Sequence, residues 1–165
     1  MVTRPPFEHI VREHGPTVLR VCRAMIIGPA AEDAWSETFL SALRAYPDLD
    51  ENANVEAWLV TIARRKAIDQ HRIAVRHRPV VASQECAAPV QSTSFDHEDL
   101  WTALRTLPPT QRDAIVHHHL AGLPYAQVAE LLGNSEPAAR RAAADGMQRL
   151  RAIYRSDTID EVSNP

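Results

Sequence analysis

Eight histidines and two cysteines are the side chains of this 165-residue chain best suited to hold a metal or move a proton. Their spacing argues against both. His117, His118 and His119 are consecutive, so on a helix they point about 100° apart and cannot converge on one ion. His9, His14 and Cys22 lack a recognisable ligand spacing. There is no glycine-rich phosphate loop, nucleophile elbow or His-Glu-x-x-His run. No metal, cofactor or catalytic residue is expected, and the chain does not read as an enzyme. What remains is chemistry suited to binding.

The net charge is −3, which would argue against a nucleic-acid partner if it were spread evenly. It is not. Arg64, Arg65, Lys66, Arg72, Arg76 and Arg78 face a single acid, Asp69, within one short stretch. Residues 79–99 hold four acids and no base, and the tail after Arg155 holds three acids and no base. Exposed charges separated by more than ~8–10 Å are largely screened at physiological salt, so local charge decides. Two cysteines are too few for a stapled secreted scaffold and fit reduced thiols in the cytosol. The first residues lack the apolar run of a signal peptide, and no stretch approaches the ~20 apolar residues of a membrane span.

The elements that must position these groups are helical throughout. Apolar residues from Phe7 to about Ile27 recur at helical spacing, with Gly15-Pro16 expected to kink or break the helix. Gly28-Pro29 ends it and starts a second helix to Ala45, whose buried stripe is read as Trp35, Phe39, Ala42, Leu43 and Tyr46. A polar connection precedes a long helix from about Val55 to His77, with Val55, Trp58, Leu59, Ile62 and Ala63 facing inward. Four shorter helices are expected at about 97–106, 109–121, 125–132 and 136–153. The fold class is all-α: two small helical domains, 1–78 and 98–155, joined by a flexible Ser/Ala/Gln/Pro-rich linker at 79–97 and followed by a tail at 156–165.

The second domain contains a helix-turn-helix pattern. A short amphipathic helix begins at Tyr125, Gly133 suits a turn conformation that other residues resist, and Ser135 before Glu136-Pro137 can cap the next helix. An αα-hairpin without DNA would show the same local pattern. Its context narrows the choice. LPPTQR at 107–112, followed by AGLPYAQVA at 121–129, resembles the fourth conserved region of bacterial sigma factors. AEDAWSETFL at 31–40 and AWLVTIARRKAID at 57–69 resemble the second conserved region. Two motifs in this order, with only a linker between them, resemble the extracytoplasmic-function (ECF) group of the sigma-seventy family.

The resemblance implies core RNA polymerase and promoter DNA as partners, an anti-sigma factor as an optional third, and no membrane insertion. It places Asp33, Glu37 and Thr38 on a surface that grips a coiled coil of the polymerase clamp, with Phe39 and Leu40 nearby as core or contact residues. Asn52 and Asn54 then lie in the reader of the minus-ten element, where an unpaired base can be stacked and hydrogen-bonded. Arg64, Arg65, Lys66 and Arg72 match the face that holds the DNA backbone next to the opened segment. Ser135, Arg140 and Arg141 fall at the start of the helix that enters the major groove at the minus-thirty-five element.

Some residues depart from the pattern. Glu56 stands where the family often has arginine, and Trp35 where it usually has a smaller apolar residue. Asn134 takes an apolar position, Ala139 and Ala142 replace larger core residues, and Asp145 and Gly146 fall in a normally basic stretch. Weak or unusual minus-thirty-five binding is therefore expected. The alternative is a polymerase-binding interaction module whose degenerate C-terminal domain binds protein instead of DNA.

Overall fold

The computed structural model describes residues 4–76 and 98–162. Among these residues the chain is all α, and the expected linker lies outside them. The helices are α1 (Phe7–Met25), α2 (Pro29–Ala45), α3 (Val55–Arg76), α4 (Glu98–Thr106), α5 (Pro109–Ile115), α6 (Tyr125–Leu132) and α7 (Glu136–Val162). A 3-10 turn at Tyr46–Asp48 follows α2, and a π turn at Val116–Leu120 follows α5.

Helices α1, α2 and α3 pack against one another. Gly15-Pro16 does not break α1, which is continuous with Pro16 inside it. Proline removes one helical donor at this step, and the Trp35 indole N–H donates across to the Gly15 carbonyl at 3.0 Å. The helix therefore continues through the local breaking signal. The buried stripe of α2 also differs from expectation. Ala31, Ala34, Thr38, Phe39 and Ala42 are buried, Trp35 is half-buried, and Leu43 is exposed. With α1 and α3 both packed on α2, its small residues permit the close approach and Leu43 is left outside. In α3 the fully buried positions are Leu59, Val60, Ala63 and Ala67, whereas Val55, Trp58 and Ile62 are half-buried.

In the second half, Gly133 adopts the left-handed conformation at φ 67°. The Asn134 N–H donates to the Ala129 carbonyl (3.0 Å) and the Gly133 N–H to that of Glu130 (3.3 Å), which ends α6 in a Schellman turn. Ser135 Oγ accepts from the Ala138 N–H at 3.3 Å and caps α7 as the sequence suggests. One stripe of α7, formed by Ala139, Ala143, Gly146 and Leu150, is buried. These small residues are a packing requirement: a Cβ on Gly146 would lie 2.6 Å from Ile115 Cδ1 and 3.3 Å from the Gln111 carbonyl. The helix also runs past the expected tail boundary to Val162, there being no glycine or proline between Arg155 and Val162 to stop it.

The two halves touch. Helix α1 packs on α4 and on the π turn. Arg105 of α4 donates to the Arg23 carbonyl at 2.8 Å, satisfying one of the orphan acceptors in the last turn of α1. Arg64 of α3 donates through Nε (3.2 Å) and Nη2 (3.1 Å) to Oδ2 of Asp113 on α5, whose side chain is 6% exposed. One turn on from Asp113, His117 is fully buried with Nδ1 2.6 Å from the Asp113 carbonyl. A carbonyl can only accept, so Nδ1 carries the proton, and Nε2 is buried without a partner. Burial pushes this imidazole below its ordinary 6.5, as does the Arg64 charge, and together they outweigh the Asp113 carbonyl and carboxylate that pull it up.

Two measurements follow from this packing. Gly146→Val should cost about 2–3 kcal/mol through overpacking at the α5–α7 crossing, and Gly146→Ala less, because alanine regains about 1 kcal/mol of helix propensity. Urea unfolding checks this, and an alanine variant more stable than the wild type would overturn it. His117 makes stability depend on pH. Below its ordinary value the unfolded imidazole takes up a proton that the buried ring refuses, so stability falls as pH drops below 6.5. Above 6.5 both states are neutral and the contribution vanishes. Compared at about pH 7.5 and about pH 5.5, His117→Gln should lose less stability than the wild type, and an identical loss would refute the assignment.

Candidate nucleic-acid interface

On α2, Asp33, Glu37 and Leu40 share the outward face, and Leu40 and Leu43 are about half exposed at 48% and 50%. Thr38 and Phe39 do not reach that surface. Thr38 is fully buried and its hydroxyl donates to the Ala34 carbonyl at 2.6 Å. Phe39 packs against Trp35 and Phe7, with ring centroids 4.9 and 6.4 Å away. Both hold the face in place from beneath.

Asn52 and Asn54 sit in the exposed turn before α3, where Asn52 is bonded through its main chain and Asn54 through its side chain. The Asn52 N–H donates to Asp50 Oδ1 at 2.8 Å, while Asn54 Oδ1 caps α3 by accepting from the Ala57 N–H at 3.0 Å. Asn54, Trp58 and Thr61 line one wall of a cleft of about 340 Å³ whose other wall is Gln127, Glu130 and Leu131 of α6. The edge read as the minus-ten reader therefore faces the first helix of the helix-turn-helix.

The four basic candidates of α3 do not form one face. At 100° per residue Arg65 and Arg72 lie on one side, where both are exposed together with Arg76. Arg64 turns toward α5 and pairs with Asp113. Lys66 turns toward α2 and lies 3.7 Å from Glu37, a half-exposed pair worth about 0–1 kcal/mol. Sequence reasoning missed Asp113, although an acid four residues before His117 within an apolar run was a signal of a buried polar pair.

At the start of α7, Ser135, Arg140 and Arg141 are all exposed. Arg140 Nη2 donates to Glu136 Oε1 at 2.7 Å, and its guanidinium lies 4.8 Å from the centroid of the Tyr125 ring. The His118 ring stacks on Tyr125 at 3.8 Å and 18°. Asp145, one turn beyond Arg141, is exposed on the same side. The three consecutive histidines occupy the π turn instead of an α-helix. Among the described residues, no group of three metal-ligating side chains comes together. Cys22 is buried, and burial pushes its thiol up to about 12, which leaves it protonated and unreactive.

The family model for Sigma-70 region 2 matches residues 10–77, and that for Sigma-70, region 4 matches residues 97–150. The RNA polymerase sigma factor CarQ of Myxococcus xanthus is 33% identical over 154 residues, covering 89% of this chain and 88% of that protein. The ECF RNA polymerase sigma factor ShbA of Streptomyces griseus is 30% identical over 156 residues, covering 84% and 82%. The sigma factor RpoE of Bartonella quintana, solved in complex with the anti-sigma factor NepR, superposes with a TM-score of 0.75 at 24% identity, covering 92% of this chain and 98% of that one. At that identity the likeness is one of fold. The matched segments follow the division at α3 and α4, and the chain belongs to the sigma-70 family of RNA polymerase sigma factors, in its ECF group.

Proposed function

We propose that this chain is a transcription initiation factor, without catalytic activity of its own, that acts in the cytoplasm by directing core RNA polymerase to promoters. The observation that carries the reading is the combination, in one chain, of the exposed Arg65–Arg72 side of α3 with a helix-turn-helix that projects Arg140 and Arg141 from the first turns of α7. Among the described residues no helix is long and apolar enough to cross a membrane.

Asp33, Glu37 and Leu40, with Leu43 beside them, suit the polymerase surface: an apolar centre rimmed by acids, the usual anatomy of a specific protein interface. Asn52 and Asn54 suit contacts to the opened minus-ten strand, Asn54 through the amide group its capping role leaves over. Arg65 and Arg72 suit the phosphate backbone. Arg64 and Lys66 join them only when their present carboxylate partners release them. At the upstream element Arg140 and Arg141 approach base edges, and Ser135 approaches the backbone at the helix start. An anti-sigma factor would act by covering either surface.

Run-off transcription with core polymerase on a genomic template tests the whole reading: specific initiation is expected, and polymerase binding without initiation would favour the interaction-module alternative. Two sets of variants separate the surfaces. Leu40→Arg combined with Glu37→Lys should weaken core binding at least about tenfold, or 1.4 kcal/mol. Arg65→Ala and Arg72→Ala should spare core binding but lower the slope of log K against log salt for promoter binding by about one unit each. Unchanged core binding in the first set, or an unchanged slope in the second, would remove that surface from the proposal.

A further inference from the structure

We propose that Tyr125 and His118 are positioning residues that fix the orientation of Arg140 for base reading. This goes beyond the assignment of Arg140 as a base reader and rests on it. An exposed arginine samples many rotamers, and ordering it on a base edge costs conformational entropy unless the protein has already restricted it. Arg140 is restricted from two directions. Glu136 holds one N–H at 2.7 Å, and the Tyr125 ring lies 4.8 Å from the guanidinium carbon. A cation over an aromatic face is attracted by the ring quadrupole, so the contact uses none of the N–H donors a base would need.

The ring that receives the guanidinium is itself held. His118 stacks on it at 3.8 Å with 18° between the planes. His118 is fixed in turn, because its Nδ1 lies 2.8 Å from the Leu123 carbonyl, which can only accept a hydrogen bond. The support therefore runs from the π turn through the first residue of α6 to the second turn of α7. π turns recur at functional sites, and this one carries the ring on which the arrangement rests. Arg141, about 100° further round α7, is exposed with no aromatic contact among the described residues. Two adjacent arginines thus differ in kind: Arg140 is pre-set and Arg141 is adaptable.

The test uses full-length chain reconstituted with core polymerase, selecting from a DNA duplex randomised across the upstream promoter element. Arg140→Ala should abolish the preference at one base position. Tyr125→Leu should lower the preference at that same position by about two- to fivefold, the value of an exposed cation–π contact. Binding to unrelated duplex and the salt slope should stay unchanged. Tyr125→Phe, which keeps the aromatic face, should retain the preference, and His118→Gln should lose part of it. In the Arg140→Ala background Tyr125→Leu should have no further effect on selectivity. Equal weakening on all sequences by Tyr125→Leu would mean a merely structural role and overturn the inference. A Tyr125→Phe loss as large as that of Tyr125→Leu would assign the effect to the phenol hydroxyl and also overturn it. If Arg140→Ala changes no base preference, Arg140 is not a base reader and the underlying reading fails with it.

Discussion

A carboxylate buried between two helical halves must be answered by a cation, and Asp113 is answered by Arg64 from the other half of the chain. The pair is asymmetric. Asp113 is 6% exposed while Arg64 is 27% exposed, so the acid depends on the pair more than the arginine does, although Arg112 Nε also stands 3.5 Å from its other oxygen. Breaking such a pair by losing one partner typically costs about 3–5 kcal/mol, although replacing both by apolar residues is often neutral. The bridge is therefore better understood as fixing how the halves meet than as a net source of stability. The His117 imidazole deepens the constraint, since its Nδ1 proton is committed to the Asp113 carbonyl and its Nε2 is buried without a hydrogen-bond partner.

This arrangement has a consequence for the proposed surfaces. With α5 holding Arg64 and α6 facing Asn54, Trp58 and Thr61 across the cleft, the second half covers part of the edge through which the first half would touch an opened strand. The exposed side of α3, carrying Arg65 and Arg72, is not covered.

Much of this was legible in the residues. The helices of both halves, the Gly133 turn, the Ser135 cap and the outward placement of Asp33, Glu37, Arg140 and Arg141 follow from local rules that depend on near neighbours only. What failed was decided by distant partners. Gly15-Pro16 reads as a kink or a break, yet α1 runs on through it, and nothing nearby in sequence announces that Trp35 will donate to the Gly15 carbonyl. Leu43 reads as core because periodicity does not reveal that α1 and α3 both crowd the alanine side of α2. Gly146 reads as a defect in a recognition helix, yet it is the residue that lets α7 cross α5 with Ile115 in contact. The basic run at 64–72 reads as one face because charge was counted along the chain, while a helix distributes consecutive residues around its axis.

That distribution is what allows one helix to serve several partners at once. Lys66 leans onto Glu37 of the acidic face, Arg64 onto Asp113, and Arg65 and Arg72 are left to solvent. The Lys66–Glu37 pair is half-exposed and worth at most about 1 kcal/mol, too little to lock α2 to α3, whose buried alanines and leucine already do that. Its effect is on charge balance. While paired, Lys66 screens an acid on the surface proposed to meet polymerase, and a partner that supplies its own cation to Glu37 frees Lys66. Such a partner would unmask the Lys66 ammonium without changing the charge that α3 carries. An overall charge of −3 is compatible with such a device because the relevant charges are exchanged across a few ångströms, well inside the screening distance of about 8–10 Å.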